Sequence, residues 1–291
     1  MNIKINDFKV ISETKLHEQI TSSHLKHSKK ELENDLEITR VKLGELQDRL
    51  YAHGKYAVLV CLQGMDTSGK DSLIREVFKD FNARGVVVHS FKVPTELELK
   101  HDYLWRHYIA LPARGKFGVF NRTHYENVLV TRVHPNYILG ESLPNVKSVE
   151  DVNAKFWDAR FEQINSFEKS IAENGTLIFK FFLNLSKEEQ KNRLLRRLNK
   201  PNKNWKFSPG DLKERKLWDD YQECYQDAIN RTSKEHAPWY IVPADNKPAA
   251  RCIVASILLK ELSAYKDIKE PELEPKIKAK ISEYKIELEN E

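Results

Sequence analysis

Seven consecutive residues, Gly64-Met65-Asp66-Thr67-Ser68-Gly69-Lys70, carry the clearest chemistry in this chain. The glycines let the backbone curl so that successive N–H groups face one anion, and a lysine directly after the second glycine can reach its outer oxygens. The spacing predicts a phosphate-binding loop, with Gly64, Thr67, Ser68, Gly69, Lys70 and Asp71 as contacts. The position after Lys70 is where a Ser or Thr hydroxyl would hold Mg²⁺, and here it is Asp71. Asp66 inside the loop offers a carboxylate instead, because a hard cation prefers oxygen ligands. As a plain helix-start acid Asp66 would complement the dipole, but beside bound phosphate it is repulsive without a metal. Mg²⁺ is therefore the expected cofactor, with Mn²⁺ as a substitute.

A second cluster is Gly118-Val119-Phe120-Asn121-Arg122-Thr123-His124-Tyr125-Glu126. It ends an apolar run where a metal-binding acid would approach the phosphates, and Asn121 holds that place. Arg122 is placed to stabilise charge spreading over a transferred phosphoryl group. Glu126 is a further candidate for the metal or the acceptor, or a solvated helix acid. An acceptor phosphate is already anionic, so no general base is required and His124 defaults to structure. A third cluster is basic: Arg193, Arg196, Arg197 and Lys200 recur at helical spacing, followed by Lys203, Trp205, Lys206 and Ser208-Pro209-Gly210-Asp211. Such a segment suits a lid over a polyanion.

The elements that must position these groups are legible in the periodicity. Residues 29–51 carry Leu32, Leu36, Ile38, Val41, Leu43, Leu46 and Leu50, which predicts a long amphipathic helix packed on a sheet or on a second subunit. The run Tyr56-Ala57-Val58-Leu59-Val60-Cys61-Leu62 is apolar on both faces, as in a buried parallel strand, and it leads straight into the glycine loop. Further strands are expected at 85–91, 116–120, 176–183 and 239–242. Helices are expected at 72–81, at 95–109 behind a Thr95-x-x-Glu98 capping box, at 156–173, and from Ser186 to about 198. This alternation predicts an α/β fold, a P-loop kinase-type three-layer α/β/α arrangement with about five parallel strands and a helical lid. The expected boundaries are an arm at 1–28 outside the core, one domain at 29–266 with its lid at about 186–215, and a charged tail at 267–291.

The 291 residues are 40% hydrophobic and 31% charged, the balance of a soluble globular protein. No apolar run approaches a membrane span and the start has no signal-peptide core, so no membrane partner is expected. Cys61, Cys224 and Cys252 form no pair or metal cluster, which favours the reducing cytoplasm. The net charge of +5 is modest, so polyanion binding must come from the placement of charge rather than its total.

With these residues in hand, the chain resembles polyphosphate kinase family 2, cytoplasmic enzymes that phosphorylate nucleotides with inorganic polyphosphate. The matching pieces are Gly64-x-Asp66-x-x-Gly69-Lys70, Tyr103-Leu104-Trp105-Arg106, Phe120-Asn121-Arg122-Thr123-His124-Tyr125 and Asn204-Trp205-Lys206-x-Ser208-Pro209-x-Asp211. Trp218-x-x-Tyr221 and Ala237-Pro238-Trp239-Tyr240 complete the set, in order over about residues 30–262. The resemblance implies that Asp66 takes part in magnesium binding, that Lys70 contacts phosphate and that Arg122 acts at the transferred group, which makes these three the expected catalytic residues; the expected metal ligands are Asp66, Asn121 and Glu126. The resemblance also places Arg197, Lys206 and Asp211 in the lid region, and the expected substrate contacts are the loop, Arg106, Arg193, Arg197, Lys203, Lys206 and Asp211. Many members have Asp where Asn121 stands, which shifts weight to Asp66 and Glu126. The Asn-Arg-x-His-Tyr-Glu form resembles the subgroup called class III, which accepts AMP and ADP; adenine or guanine nucleotides are the expected acceptors, and a homo-oligomer is expected. An ATP-dependent nucleotide or nucleoside kinase is the alternative, and a nucleic-acid-binding protein a third reading that the modest charge disfavours.

Overall fold

The computed structural model describes residues 3–23 and 27–291. The chain runs α1 (Lys29–His53), β1 (Ala57–Gln63), α2 (Lys70–Val77), β2 (Val86–Ser90), α3 (Glu96–Leu99), α4 (Trp105–Tyr108), β3 (Phe117–Asn121) and α5 (Val130–Val133). It continues through α6 (Ala154–Glu173), β4 (Thr176–Asn184), α7 (Lys187–Asn199), α8 (Pro209–Lys216), α9 (Trp218–Thr232), β5 (Trp239–Pro243), α10 (Lys247–Leu262), α11 (Pro275–Ala279) and α12 (Ile281–Glu289). The five strands form one parallel sheet in the order β2-β3-β1-β4-β5.

β1 lies at the centre, and all seven of its residues are buried. Its alternate side chains feed opposite cores, as the pleat requires. Val58, Val60 and Leu62 pack with α1, α2 and α10, whereas Leu59 and Cys61 pack with Phe120, Ile178, and Phe167 and Ile171 of α6. Helices thus cover both faces of the sheet. α1 starts at a capping box in which Ser28 N donates to Glu31 Oε2 at 2.6 Å and Glu31 N to Ser28 Oγ at 3.3 Å. It buries Leu32, Leu36, Leu43, Leu46 and Leu50 against α10, while Ile38 and Val41 stay about half exposed on its other side. Each buried leucine contributes roughly 1.5–3 kcal/mol.

Two expectations are corrected. The helix predicted over 95–109 breaks into α3 and α4. The Thr95–Glu98 capping box is present, but Asp102 Oδ1 accepts from Leu104 N at 2.8 Å and turns the chain between them. The arm expected outside the core joins it: Ile3, Ile5 and Leu16 are buried. Val10 N donates to Trp239 O at 2.9 Å and Ile241 N to Phe8 O at 2.8 Å, so the arm shields the edge of β5 as an antiparallel bridge. The rest of the predicted arm, residues 1–2 and 24–26, lies outside the described residues. Among the described residues no helix is long and apolar enough to cross a membrane.

Candidate active site

The parallel sheet brings the C-terminal ends of β1, β3, β4 and β5 to one edge, where open α/β sheets place their ligands. The glycine loop follows β1 there. Gly64 sits at φ 151° and Gly69 at φ 108°, and Thr67 holds φ 66°, a left-handed conformation that costs a side chain energy. A Cβ on Gly64 would meet Leu183 O at 2.9 Å, so β4 packs too closely for any other residue. Gly69 opens directly into α2, whose first residue is Lys70, so the loop amides and the helix N-terminus face the same space. Lys70 Nζ donates to Gly64 O at 2.5 Å and leans towards Met65 O at 3.4 Å. Burial lowers its pKa from 10.5 to about 8, helped by Arg122 and opposed by Asp66, Glu126 and Asp71.

β3 delivers the second cluster. Asn121 pairs in register with Leu62 on one side and Ser90 on the other. Its Nδ2 donates to Asp71 Oδ1 at 2.7 Å, and its Oδ1 is buried with no hydrogen-bond partner among the described residues. Arg122 follows at φ 58° and donates from Nη2 to Asp66 Oδ1 at 2.8 Å, with Glu126 Oε2 at 3.6 Å from Nη1. Burial opposes its charge, but Glu126 and Asp66 outweigh it and hold the guanidinium charged.

A cavity of about 390 Å³ lies over the loop, lined by Asp66 to Ser72, Asn121, Arg122, Arg193, Arg196, Arg197, Lys203, Lys206, Asp211 and Lys247. The lid closes it. Arg197 Nη1 donates to Lys206 O and Asp211 Oδ2, both at 2.9 Å, and Asn204 Nδ2 donates to Arg197 O at 2.8 Å. Burial raises the Asp211 pKa, and repulsion from Asp66 adds to it against the pull of Arg197. Arg196, Lys203 and Lys247 make no hydrogen bond or ion pair with a described residue, and Lys206 lies 4.8 Å from the Trp205 ring.

The structure therefore gathers Asp66, Thr67, Ser68, Gly69, Lys70, Asp71, Asn121, Arg122, Arg197, Lys203, Lys206 and Asp211 around one space. Three expected residues stand apart. Gly64 shapes the loop from beneath. Glu126 lies behind Arg122 rather than on the cavity wall. Arg106 is buried elsewhere, donating to Lys92 O at 2.8 Å and to Glu98 at 3.3 Å with its guanidinium 5.0 Å from the Phe91 ring, so it ties down the segment between β2 and α4. Arg193 borders the cavity, but its N–H groups are all engaged by protein oxygens. Lys247 and Ser72 went unpredicted. Lys247 follows β5 at the ligand-bearing edge of the sheet, and that topology is the signal that could have found it.

His124 is buried in a polar network behind Arg122. Its Nε2 lies 3.0 Å from Glu168 Oε1, which also accepts from the Tyr125 hydroxyl at 2.8 Å. Lys180 Nζ donates to Glu168 Oε2 at 2.6 Å, to the Tyr125 hydroxyl at 2.8 Å and to Thr232 O at 2.8 Å. None of these five side chains lines the cavity.

Among the described residues no three His, Cys, Asp or Glu side chains converge as a ready-made metal cage. The unpartnered Asn121 Oδ1 beside Asp71, with Asp66 across the loop, nevertheless fits a small hard cation, which keeps much of its shell in water and phosphate oxygen.

Comparison with known proteins agrees with this geometry. Residues 26–270 match the family Polyphosphate kinase 2 (PPK2). The chain is 46% identical over 241 residues to the ADP-polyphosphate phosphotransferase of Rhodopseudomonas palustris, covering 82% of each protein. It is 47% identical over 227 residues to the AMP/ADP-polyphosphate phosphotransferase of Meiothermus ruber, covering 78% of this chain and 79% of that one. The crystal structure of Polyphosphate Kinase 2 from Arthrobacter aurescens superposes with a TM-score of 0.86 at 37% identity, covering 94% of both chains. The strand-loop-helix phosphate site on a parallel sheet is that of a P-loop kinase-type fold, and the chain belongs to the polyphosphate kinase 2 family.

Proposed function

We propose that this chain transfers the terminal phosphoryl group of inorganic polyphosphate to AMP or ADP. The observation that carries the reading is the charge of the cavity: eight cationic side chains against three acids, with Arg196, Lys203 and Lys247 lacking any counter-ion among the described residues. Like charges crowded without partners repel, and a polymer with one charge per phosphate relieves them. An oxygen of the acceptor's terminal phosphate attacks the end phosphorus, the P–O bond to the chain breaks, and the polymer leaves one unit shorter. The attacking oxygen is anionic, so no side chain need remove a proton, and catalysis rests on positioning and charge neutralisation. Loop amides and Lys70 hold phosphate oxygens, and Arg122 faces the group in transit. Asp66 and Asn121 Oδ1, with Asp71 beside them, would hold Mg²⁺, which when bound would neutralise phosphate charge. The segment 186–215 acts as the lid.

Incubation with polyphosphate, Mg²⁺ and either ADP or AMP, without ATP, is expected to yield ATP from ADP and ADP from AMP on nucleotide separation. Product only when ATP is supplied would overturn the proposal in favour of an ATP-dependent kinase. Replacing Lys247 by Gln is expected to raise the KM for polyphosphate about tenfold, the worth of one charge-assisted hydrogen bond, with kcat nearly unchanged. Steady-state kinetics over a polyphosphate titration checks this; an unchanged KM would remove Lys247 from the polymer track.

A further inference from the structure

We propose that Arg193, although it borders the phosphate cavity, is a positioning residue that holds the phosphate-binding loop in shape and makes no contact with substrate. The proposal rests on the phosphotransferase reading of the site. A guanidinium has five N–H donors. In Arg193, Nε donates to Glu189 Oε1 at 2.7 Å, Nη1 to Thr67 O and Ser68 O at 2.9 Å each, and Nη2 to Ala244 O at 2.7 Å and Asp245 O at 2.9 Å. Five donors meet five acceptors, and the residue is 4% exposed. A phosphate oxygen could bond to it only by displacing one of these carbonyls or the Glu189 carboxylate.

Two of the acceptors belong to the strained turn of the loop, since Thr67 is the non-glycine residue at φ 66°. Such a conformation persists only where the surroundings over-determine it, and Arg193 supplies two bonds to that turn. The other end of the guanidinium grips the turn after β5. There Asp245 Oδ1 accepts from Ser186 N at 2.8 Å, at the start of α7, and Asp245 N donates to Thr21 O of the arm at 2.9 Å. One side chain thus fixes the loop after β1 to the two elements that frame the cavity from β4 and β5. Its neighbours Arg196 and Lys247 make no hydrogen bond or ion pair with a described residue and line the cavity beside it.

The test compares Arg193→Lys and Arg193→Met with Arg196→Gln. A lysine keeps the charge but cannot reproduce the planar fork. Expected for both Arg193 variants is a fall in kcat of about 10- to 100-fold through loop misplacement, with KM for polyphosphate and its dependence on salt unchanged. Amide exchange of residues 65–70 is expected to accelerate while β1 and β4 keep their protection. Guanidinium chloride at tens of millimolar, against a matched KCl control, is expected to restore part of the kcat of Arg193→Ala. A raised KM with a weakened salt dependence, as expected for Arg196→Gln, together with unchanged loop exchange, would make Arg193 a phosphate ligand and overturn the proposal. Exchange accelerated through the whole sheet, with activity tracking the folded fraction, would overturn it as well. The exchange measurement needs no substrate, so it tests Arg193 even where the polyphosphate assay shows no transfer.

Discussion

Replacing Lys70 by methionine is expected to leave a folded protein whose phosphoryl transfer is slowed by at least about 100-fold, the usual cost of removing one preorganised charge from a developing transition state. The methionine keeps the buried aliphatic stem, so thermal midpoint changes little. The lost group is an ammonium held at the glycine loop by the loop's own carbonyls. Steady-state kcat together with a melting curve checks it; near-normal kcat would sink the assignment of the loop.

The pH behaviour of the same residue follows from its surroundings. Its pKa of about 8 means that the free enzyme loses the Lys70 charge above that pH. The profile of kcat/KM for polyphosphate is expected to fall above about pH 8, whereas bound phosphate restores the charge and kcat stays flat to higher pH. Stability moves the other way. Between about 8 and 10.5 the unfolded chain keeps a proton on Lys70 that the fold has released, so the unliganded enzyme gains stability with rising pH across that window.

The second large effect concerns stability. Replacing Lys180 by methionine is expected to destabilise the fold by about 3–5 kcal/mol, because it leaves the Glu168 carboxylate buried without its counter-charge. Both side chains are fully buried and 2.6 Å apart. At roughly 2–4 °C per kcal/mol for a chain of this size class, the melting temperature falls on the order of 10 °C. Adding Glu168→Gln to Lys180→Met removes the stranded charge while an amide oxygen still accepts from the Tyr125 hydroxyl, so the double variant is expected to melt above Lys180→Met. Calorimetry of the three proteins checks this. If the double variant melts below Lys180→Met, stranded charge is not the source of the loss.

The loop was readable because its chemistry is local. Gly64, Gly69 and Lys70 act through backbone conformations and a helix start that follow within seven residues, and the apolar run before them marks the strand. The parallel sheet was readable for a similar reason, since a strand buried on both faces must alternate with helices that cover it. The long helix predicted over 95–109 was not, because one side-chain hydrogen bond from Leu104 N to Asp102 overrides a periodic pattern. The arm was misjudged because Ile3, Ile5 and Leu16 are isolated apolar residues in polar sequence, and only the exposed edge of β5 gives them somewhere to go.

By itself, then, the sequence determined the fold class, the glycine turn between β1 and α2 and the run of basic residues after β4, all of which depend on periodicity or on residues close in the chain. Tertiary structure alone decided how the charges are used. Arg193, Arg196 and Arg197 look alike on one helix, yet Arg193 is saturated by Glu189 and by carbonyls from residues 67, 68, 244 and 245, Arg197 is tied to Asp211, and Arg196 lines the cavity with no hydrogen-bond or ion-pair partner among the described residues. Whether a cation binds substrate or scaffold depends on which acceptors the fold brings within about 3 Å of it, and for these arginines they come from the loop after β1, the turn after β5 and the start of α8.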